Sequence, residues 1–200
     1  MARYTGPKDR LSRREGFDLF GKGAKLTRLN VTPGVHGPKG QTKAQSQYGK
    51  QLREKQKAKR LYGLSEKQFK KYMLEALKSK GNTAEKFFSL LESRLDNVVY
   101  RLGFAKTRTQ ARQLVSHRHI LVNGKKVNIP SYQVSVGDGI TLGKIAMEIP
   151  VVKLLLGLQD YTIPGWLARR GPAGQVKKLP VREDIVEPIN EQDIIEFYSR

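Results

Sequence analysis

The chain has 200 residues, with 38 Lys and Arg against 18 Asp and Glu, a formal net charge of +20, 38% apolar residues and no cysteine. That length suits one large domain or two small ones with modest cores, and the lack of a thiol excludes disulfides, cysteine catalysis and zinc ribbons. Such an excess of positive charge brings self-repulsion on folding unless a polyanion offsets it, so a nucleic acid is the expected partner, and no stretch approaches the roughly 20 apolar residues of a membrane span.

The charge is uneven. Residues 1–60 hold 16 basic and 4 acidic residues, 61–90 hold 6 and 3, 91–142 hold 8 and 3, and 143–200 hold 8 and 8. Affinity for a polyanion should therefore weaken toward the C-terminus. The first sixteen residues have no apolar core of a secretory signal. They are basic and poor in acid, as transit peptides are, but a mature cytosolic-type chain is the expectation.

Residues 1–45 are rich in Gly, Pro and basic residues, and the run from Pro33 to Gly40 has neither helical nor strand periodicity. An extended, loop-rich segment is expected, one that RNA would order. Its candidate RNA contacts are Arg3, Lys8, Arg10, Arg13 and Arg14, with Tyr4 able to stack on a base. Gly34, Gly37 and Gly40 do not form a phosphate-binding loop, which needs a preceding strand and a following helix.

Residues 46–62 fit a helix with Tyr48, Leu52 and Tyr62 on one side and Lys50, Arg53, Lys57 and Arg60 elsewhere. The last four are candidate phosphate contacts. Lys55 and Lys59 share the apolar side, so the helix is expected to be half packed rather than deeply buried. Ser65 and Gln68 open the next helix as a capping box, with Phe69, Tyr72, Met73 and Leu77 inward and an end near Gly81. From Asn82 a further helix is expected, with Phe87, Phe88, Leu91, Leu95, Val98, Val99 and Leu102 keeping helical spacing up to Gly103.

Thr107 and Gln110 then form another capping box, which starts a helix at Lys106–Gln110. Ala111, Leu114 and Val115 can bury, while Arg108, Arg112, Gln113 and His117 project elsewhere. Ile120–Val122, the pair Asn123-Gly124, and Lys125–Val127 give a strong hairpin signal, because a type I′ turn needs positive φ at both central positions. Helix and hairpin tip should thus share one basic edge. The candidate RNA-binding residues here are Lys106, Thr107, Arg108, Gln110, Arg112, Gln113, His117, Arg118, His119, Asn123, Lys125 and Lys126. Tyr132–Leu142 alternates around Gly137-Asp138-Gly139 and suggests a second hairpin. Ala146–Leu156 continues with β-branched and aliphatic residues. Pro164 to Leu167 suggests an ordered turn anchored by Trp166, residues 168–182 look loop-like, and Asn190–Ser199 fits a final helix with acidic residues in its first turn.

Catalytic and metal readings are weak. His117 and His119 flank Arg118, which repels a cation, and few carboxylates are near enough to complete a shell. Asp96 and Asp138 have no acid–base partner nearby, so the expected roles are helix-surface pairing for the first and the turn for the second. No catalytic residue, metal or cofactor is expected.

Leu91–Val115 and His119–Tyr132 closely resemble the RNA-binding domain of the S4 family of small-subunit ribosomal proteins. MARYTGP at the start, RREG from Arg13, QLREKQKAKRLYG from Gln51, Pro164-x-Trp166-Leu167 and the terminal EFYSR also resemble that family, so the likeness covers nearly the whole chain. Pseudouridine synthases and tyrosyl-tRNA synthetases carry similar modules, and the flanking motifs make the family specific. The resemblance implies a primary binder of small-subunit rRNA, seated early in assembly at a multi-helix junction near the mRNA entry side. Its further partners would be neighbouring small-subunit proteins and mRNA, in a cytoplasmic or plastid ribosome. The implied fold class is α+β: a helical N-terminal domain completed by the C-terminal segment, with an inserted module of two helices packed on a small antiparallel sheet. The corresponding divisions are 1–45, 46–90, 91–155 for the module, and 156–200 returning to the helical domain.

Two departures from the family stand out. Many relatives carry a zinc-binding cysteine cluster near the N-terminus, where this chain has Asp9 and Ser12. The family's frequent His-Gly-His is His117-Arg118-His119 here, and if Arg118 takes glycine's positive φ the cost is about 1 kcal/mol or more, which a phosphate contact could offset. The alternatives are an RNA-modifying enzyme or a regulatory RNA-binding protein with the same module. Only 58 residues follow Leu142, leaving little room for a catalytic domain, and the long basic N-terminal region argues against a module-only regulator.

Overall fold

The computed structural model describes residues 4–35, 37, 46–158 and 161–199. Their contacts form two compact units, one comprising residues up to Ser79 and those from Glu187 onward, the other Lys80–Val186. The borders differ from 91 and 155. Residues 80–90 and 156–186 lie with the module.

In the first unit, α1 (Lys8–Glu15) is helical where the Gly and Pro content suggests a loop. Pro7 precedes its first turn, where a missing N–H costs nothing, and Gly16 ends it with φ 61°, a conformation glycine adopts without steric penalty. A short 3-10 turn follows at Gly23–Lys25. α2 (Gln47–Leu61) is capped by the Ser46 hydroxyl, which accepts from the Gly49 N–H at 3.2 Å. α3 (Glu66–Lys78) is capped by Ser65, accepting from Gln68, and buries Phe69, Tyr72, Met73 and Ala76. The last helix of the chain (Glu191–Tyr198), capped by Asn190, runs along α2. Gln51 donates to Glu196 at 2.6 Å, the Asn190 N–H donates to Glu54 at 3.2 Å, and the Tyr48 and Phe197 rings stand 5.7 Å apart.

Lys55 departs from the half-packed picture of α2: it is buried. Its ammonium donates to Glu66 at 2.9 Å and sits 4.5 Å from the centre of the Phe197 ring. The long aliphatic stem fills an apolar seam while the charge finds a carboxylate and a ring face. Burial pushes the Glu66 carboxyl up, but hydrogen bonds from Lys55, Lys59 and Tyr198 outweigh it and hold the group at about 2.

In the second unit, the single helix that periodicity suggests from Asn82 to Gly103 is two: α4 (Thr83–Glu92) and α5 (Leu95–Arg101). Arg94 is extended (φ −67°, ψ 135°) and bridges Gln133. The Leu95 N–H donates to Tyr132 O at 2.8 Å, and the Val134 N–H to Ser93 O at 2.9 Å. Leu95, Val98, Val99 and Leu102 keep one buried stripe across the kink, so the apolar pattern hides the break. α6 (Arg108–Ser116) packs on α5 through Ala111, Leu114 and Val115.

The sheet has five antiparallel strands in the order β2-β1-β3-β5-β4: β1 (Ile120–Val122), β2 (Lys125–Val127), β3 (Gly139–Leu142), β4 (Leu167–Arg170) and β5 (Ala173–Val176). The hairpin at Asn123-Gly124 is present, with φ of 49° and 78°. The second hairpin around Gly137–Gly139 is not. Residues 132–136 form no strand, and β3 pairs instead with β1 and β5. Ala146–Leu156 does not prolong the sheet either, since α7 (Lys144–Glu148) and α8 (Pro150–Gly157) occupy it. The loop-like region 168–182 supplies β4 and β5, turning at Gly171 (φ 58°).

Trp166 is fully buried beside this hairpin, as the turn signal around it suggests. A Cβ on Gly174 would lie 2.6 Å from the Leu102 methyls, so only glycine lets β5 approach α5 this closely. Arg169 donates to Leu102 O at 3.0 Å and Leu155 O at 3.2 Å, with its guanidinium 5.3 Å from the Phe104 ring, tying the hairpin to α5 and α8. We number the C-terminal helix α9.

Candidate nucleic-acid interface

At the start of α6 the Thr107 hydroxyl accepts from the Gln110 N–H at 3.2 Å. The Gln110 side chain accepts from the Lys106 N–H at 2.9 Å, one residue earlier than a standard capping box. Arg108 and Arg112 do not project freely from this helix. The Arg108 Nε donates to Asn97 Oδ1 at 2.9 Å, and its guanidinium lies 4.6 Å from the Tyr100 ring centre. Asn97 donates in turn to Glu92 at 2.7 Å, and Arg101 makes two hydrogen bonds to the same carboxylate at 2.9 and 2.8 Å. Arg112 stands 3.6 Å from Asp96, which also holds the buried Arg94 at 3.1 and 2.7 Å. Asp96 therefore does pair, as its sequence context suggests, but buried rather than on the helix surface. Buried acceptors therefore hold both guanidinium groups in place at the start of α6.

α6 ends in a Schellman arrangement. The Arg118 N–H donates to Val115 O at 2.9 Å, and the His119 N–H to Leu114 O at 3.0 Å. Such a cap requires a left-handed residue after the helix, usually glycine, and here Arg118 takes φ 62°. Arg118 and His117 are exposed, His119 is half-buried, and the two imidazoles stand 6.1 Å apart. Replacing Arg118 by glycine should raise stability by about 1 kcal/mol and weaken RNA binding. Paired thermal melts and RNA titrations of the variant would show opposite signs, and a loss of both would refute the strain argument.

At the hairpin tip, Asn123 spends its side-chain amide internally. Its Oδ1 accepts from the Gly139 N–H at 2.9 Å, and its Nδ2 donates to Asp138 at 2.8 Å. Asp138 also accepts from the Ser135 N–H at 2.8 Å, which is the turn role its sequence context suggests. Lys106, Gln113, Lys125 and Lys126 are exposed. Directly paired residues share a sheet face, and the register aligns Lys126, Leu121, Thr141, Ala173 and Arg170 in one row. Arg170, Lys177 and Lys178 are exposed cations that the loop reading of 168–182 left out. The turn glycine Gly171, between two short segments, is the local signal of that hairpin.

In the first unit, Tyr4, Arg10, Arg14 and Lys50 are exposed, and Arg3 lies outside the described residues. Arg13 donates to Val31 O at 2.9 Å, and Lys8 lies 5.4 Å from the Phe20 ring centre. Arg53 (3.2 Å) and Arg60 both reach the buried carboxylate of Glu15, and Lys57 reaches Glu54 at 3.2 Å. Burial pushes the Glu15 carboxyl up while the two guanidinium groups pull it down, and burial prevails. Arg13, Arg14, Lys50 and Arg53 line a cleft of about 530 Å³, together with Glu15, Glu54 and Asp193. The donors do not suit the zinc cluster that the family resemblance brings to mind: Asp9 is bound by Lys22, the buried Ser12 is a poor zinc ligand, and the sequence has no cysteine.

The second unit thus packs two helices on a five-stranded sheet with cations at a helix end and a hairpin tip, and the first unit is basic and helical. Residues 3–92 match the family described as "Ribosomal protein S4/S9 N-terminal domain", and residues 93–140 match the "S4 domain". The chain is 50% identical over 208 residues to the small ribosomal subunit protein uS4 of Cupriavidus pinatubonensis, 52% over 210 residues to that of Geobacter sulfurreducens, and 48% over 210 residues to that of Natranaerobius thermophilus. Each match covers 100% of both chains. The chain belongs to the uS4 family of small ribosomal subunit proteins, structural components rather than enzymes.

Proposed function

We propose that this chain binds small-subunit rRNA directly, where several RNA helices meet, and that it does so early in assembly of the subunit. The observation that carries this is the set of exposed cations around one helix end and one hairpin tip: Lys106, Arg118, Lys125 and Lys126, backed by the anchored guanidinium groups of Arg108 and Arg112. Side chains cannot enter the deep major groove of A-form RNA, so these groups read backbone shape and phosphate spacing more than base identity. The basic residues of 1–45 and of α2 add phosphate contacts, and the helices and sheet of the second unit act as the shape-reading module. The protein works ribosome-bound in the cytoplasm or plastid stroma, beside other small-subunit proteins on the mRNA entry side.

Chemical footprinting of naked small-subunit rRNA with and without the purified chain tests this reading. Protection concentrated where several helices join is the expected result. Protection scattered over unrelated helices would remove the junction from the proposal.

A further inference from the structure

The cations of α2 are largely answered from within the protein. Arg53 and Arg60 face Glu15, Lys57 faces Glu54, and Lys55 and Lys59 face Glu66. The outer side of α3 is different. Phe69, Tyr72, Met73 and Ala76 take the inner face, which leaves Lys67, Lys70, Lys71 and Lys78 exposed on the other. Among the described residues, none of these four ammonium groups forms an ion pair. Glu66, at the head of the helix, is engaged by Lys55 and Lys59, leaving Glu75 as the one uncommitted carboxylate of α3.

At 100° per residue, Lys67, Lys71 and Lys78 fall within one narrow stripe with Lys70 on its flank, and at 1.5 Å per residue they extend over about 17 Å. Like charges spaced three and four apart on a helix repel one another, so the arrangement disfavours the isolated helix. A polyanion laid along the stripe reverses the sign of that interaction. Four unpaired, strongly hydrated point charges on flexible stems suit phosphodiester groups, which need no fixed fork geometry.

We propose that the outer face of α3, through Lys67, Lys70, Lys71 and Lys78, is a phosphate-binding surface for RNA, separate from the module and from α2. This rests on the reading that the chain binds small-subunit rRNA. The full-length chain carrying Lys→Gln at all four positions is the test variant, since Gln and Lys have similar helix propensity. Its affinity for small-subunit rRNA is measured against salt beside the wild type and the fourfold Lys→Arg variant. Four lost phosphate contacts should make the slope of log K against log salt shallower by about 3, with Lys→Arg retaining the wild-type slope.

Acetylation of the wild type, read residue by residue by mass spectrometry with and without rRNA, should show these four lysines protected by RNA. It decides the matter even if the Gln variant fails to fold. A wild type that ignores rRNA would undo the proposed function itself. A wild type that binds steeply, beside a folded Gln variant of equal slope, would overturn the α3 surface alone. Protection that appears only with small-subunit proteins, and not with RNA, would likewise overturn it and assign the face to an acidic protein.

Discussion

Replacing Glu92 by alanine is expected to destabilise the second unit by about 3–5 kcal/mol, the usual cost of removing one partner from a buried ion pair. The Glu92 carboxylate is almost wholly buried and accepts from Arg101 twice and from Asn97 Nδ2. Without it, Arg101, itself only 9% exposed, loses both hydrogen bonds to this carboxylate in a poorly solvated position. Asn97 loses the bond that fixes which way its amide points, and its Oδ1 is the acceptor that holds Arg108. Stability and RNA affinity should therefore fall together. Urea unfolding followed through Trp166, buried in the same unit, measures the first effect. A loss below about 1 kcal/mol would mean that Arg101 swings to solvent unpaired, and the network would then not be what positions Arg108.

This network illustrates what the sequence conceals. Capping residues and turns are local chemistry, so Ser65, Thr107 and the Asn123-Gly124 tip are legible from residue type and spacing. The positive φ at Arg118 is legible as well, because a glycine position occupied by arginine keeps the backbone its cap demands. Non-local partners are not legible. That Lys55 is buried depends on Glu66 and on Phe197, far along the chain, and that Arg53 and Arg60 share a carboxylate depends on a helix at Glu15 that Gly and Pro on either side obscure. Strands β4 and β5, four residues each, are too short for periodicity to stand out, and β3 alternates as a hairpin strand does while taking its partners from elsewhere. The helix break at Arg94 leaves no trace in an apolar stripe that continues through it. Charge counts have the same limit: +12 over the first sixty residues points to a polyanion, but only the ion pairs show which cations are already partnered within the protein.

The affinity of the wild-type chain for small-subunit rRNA should fall by roughly 10⁴-fold between 50 and 200 mM salt, because each neutralised phosphate releases counterions. Contact with about eight phosphates gives a slope of log K against log salt on the order of −6 to −7, bracketed by the coefficients for single strands and B-form duplexes. The cations available support that count. Lys106, Arg118, Lys125 and Lys126 are exposed in the module, and Arg10, Arg14, Lys50 and the four α3 lysines are exposed in the first unit, so about eight contacts need only part of this set. The intramolecular pairs on α2 also have a bearing on this slope. An arginine that must leave Glu15 to meet a phosphate exchanges one anion for another and contributes less than a free lysine. A titration series over that salt range, with filter binding or fluorescence anisotropy as the readout, measures the slope. Charge-removing variants of Lys125 and Lys126 should each reduce it by somewhat under one unit, whereas Arg53→Gln should reduce it by less. A slope near −1 for the wild type would leave the net charge without its proposed partner, and equal reductions for Arg53 and Lys125 would show that the Glu15 pairing does not hold Arg53 back from RNA.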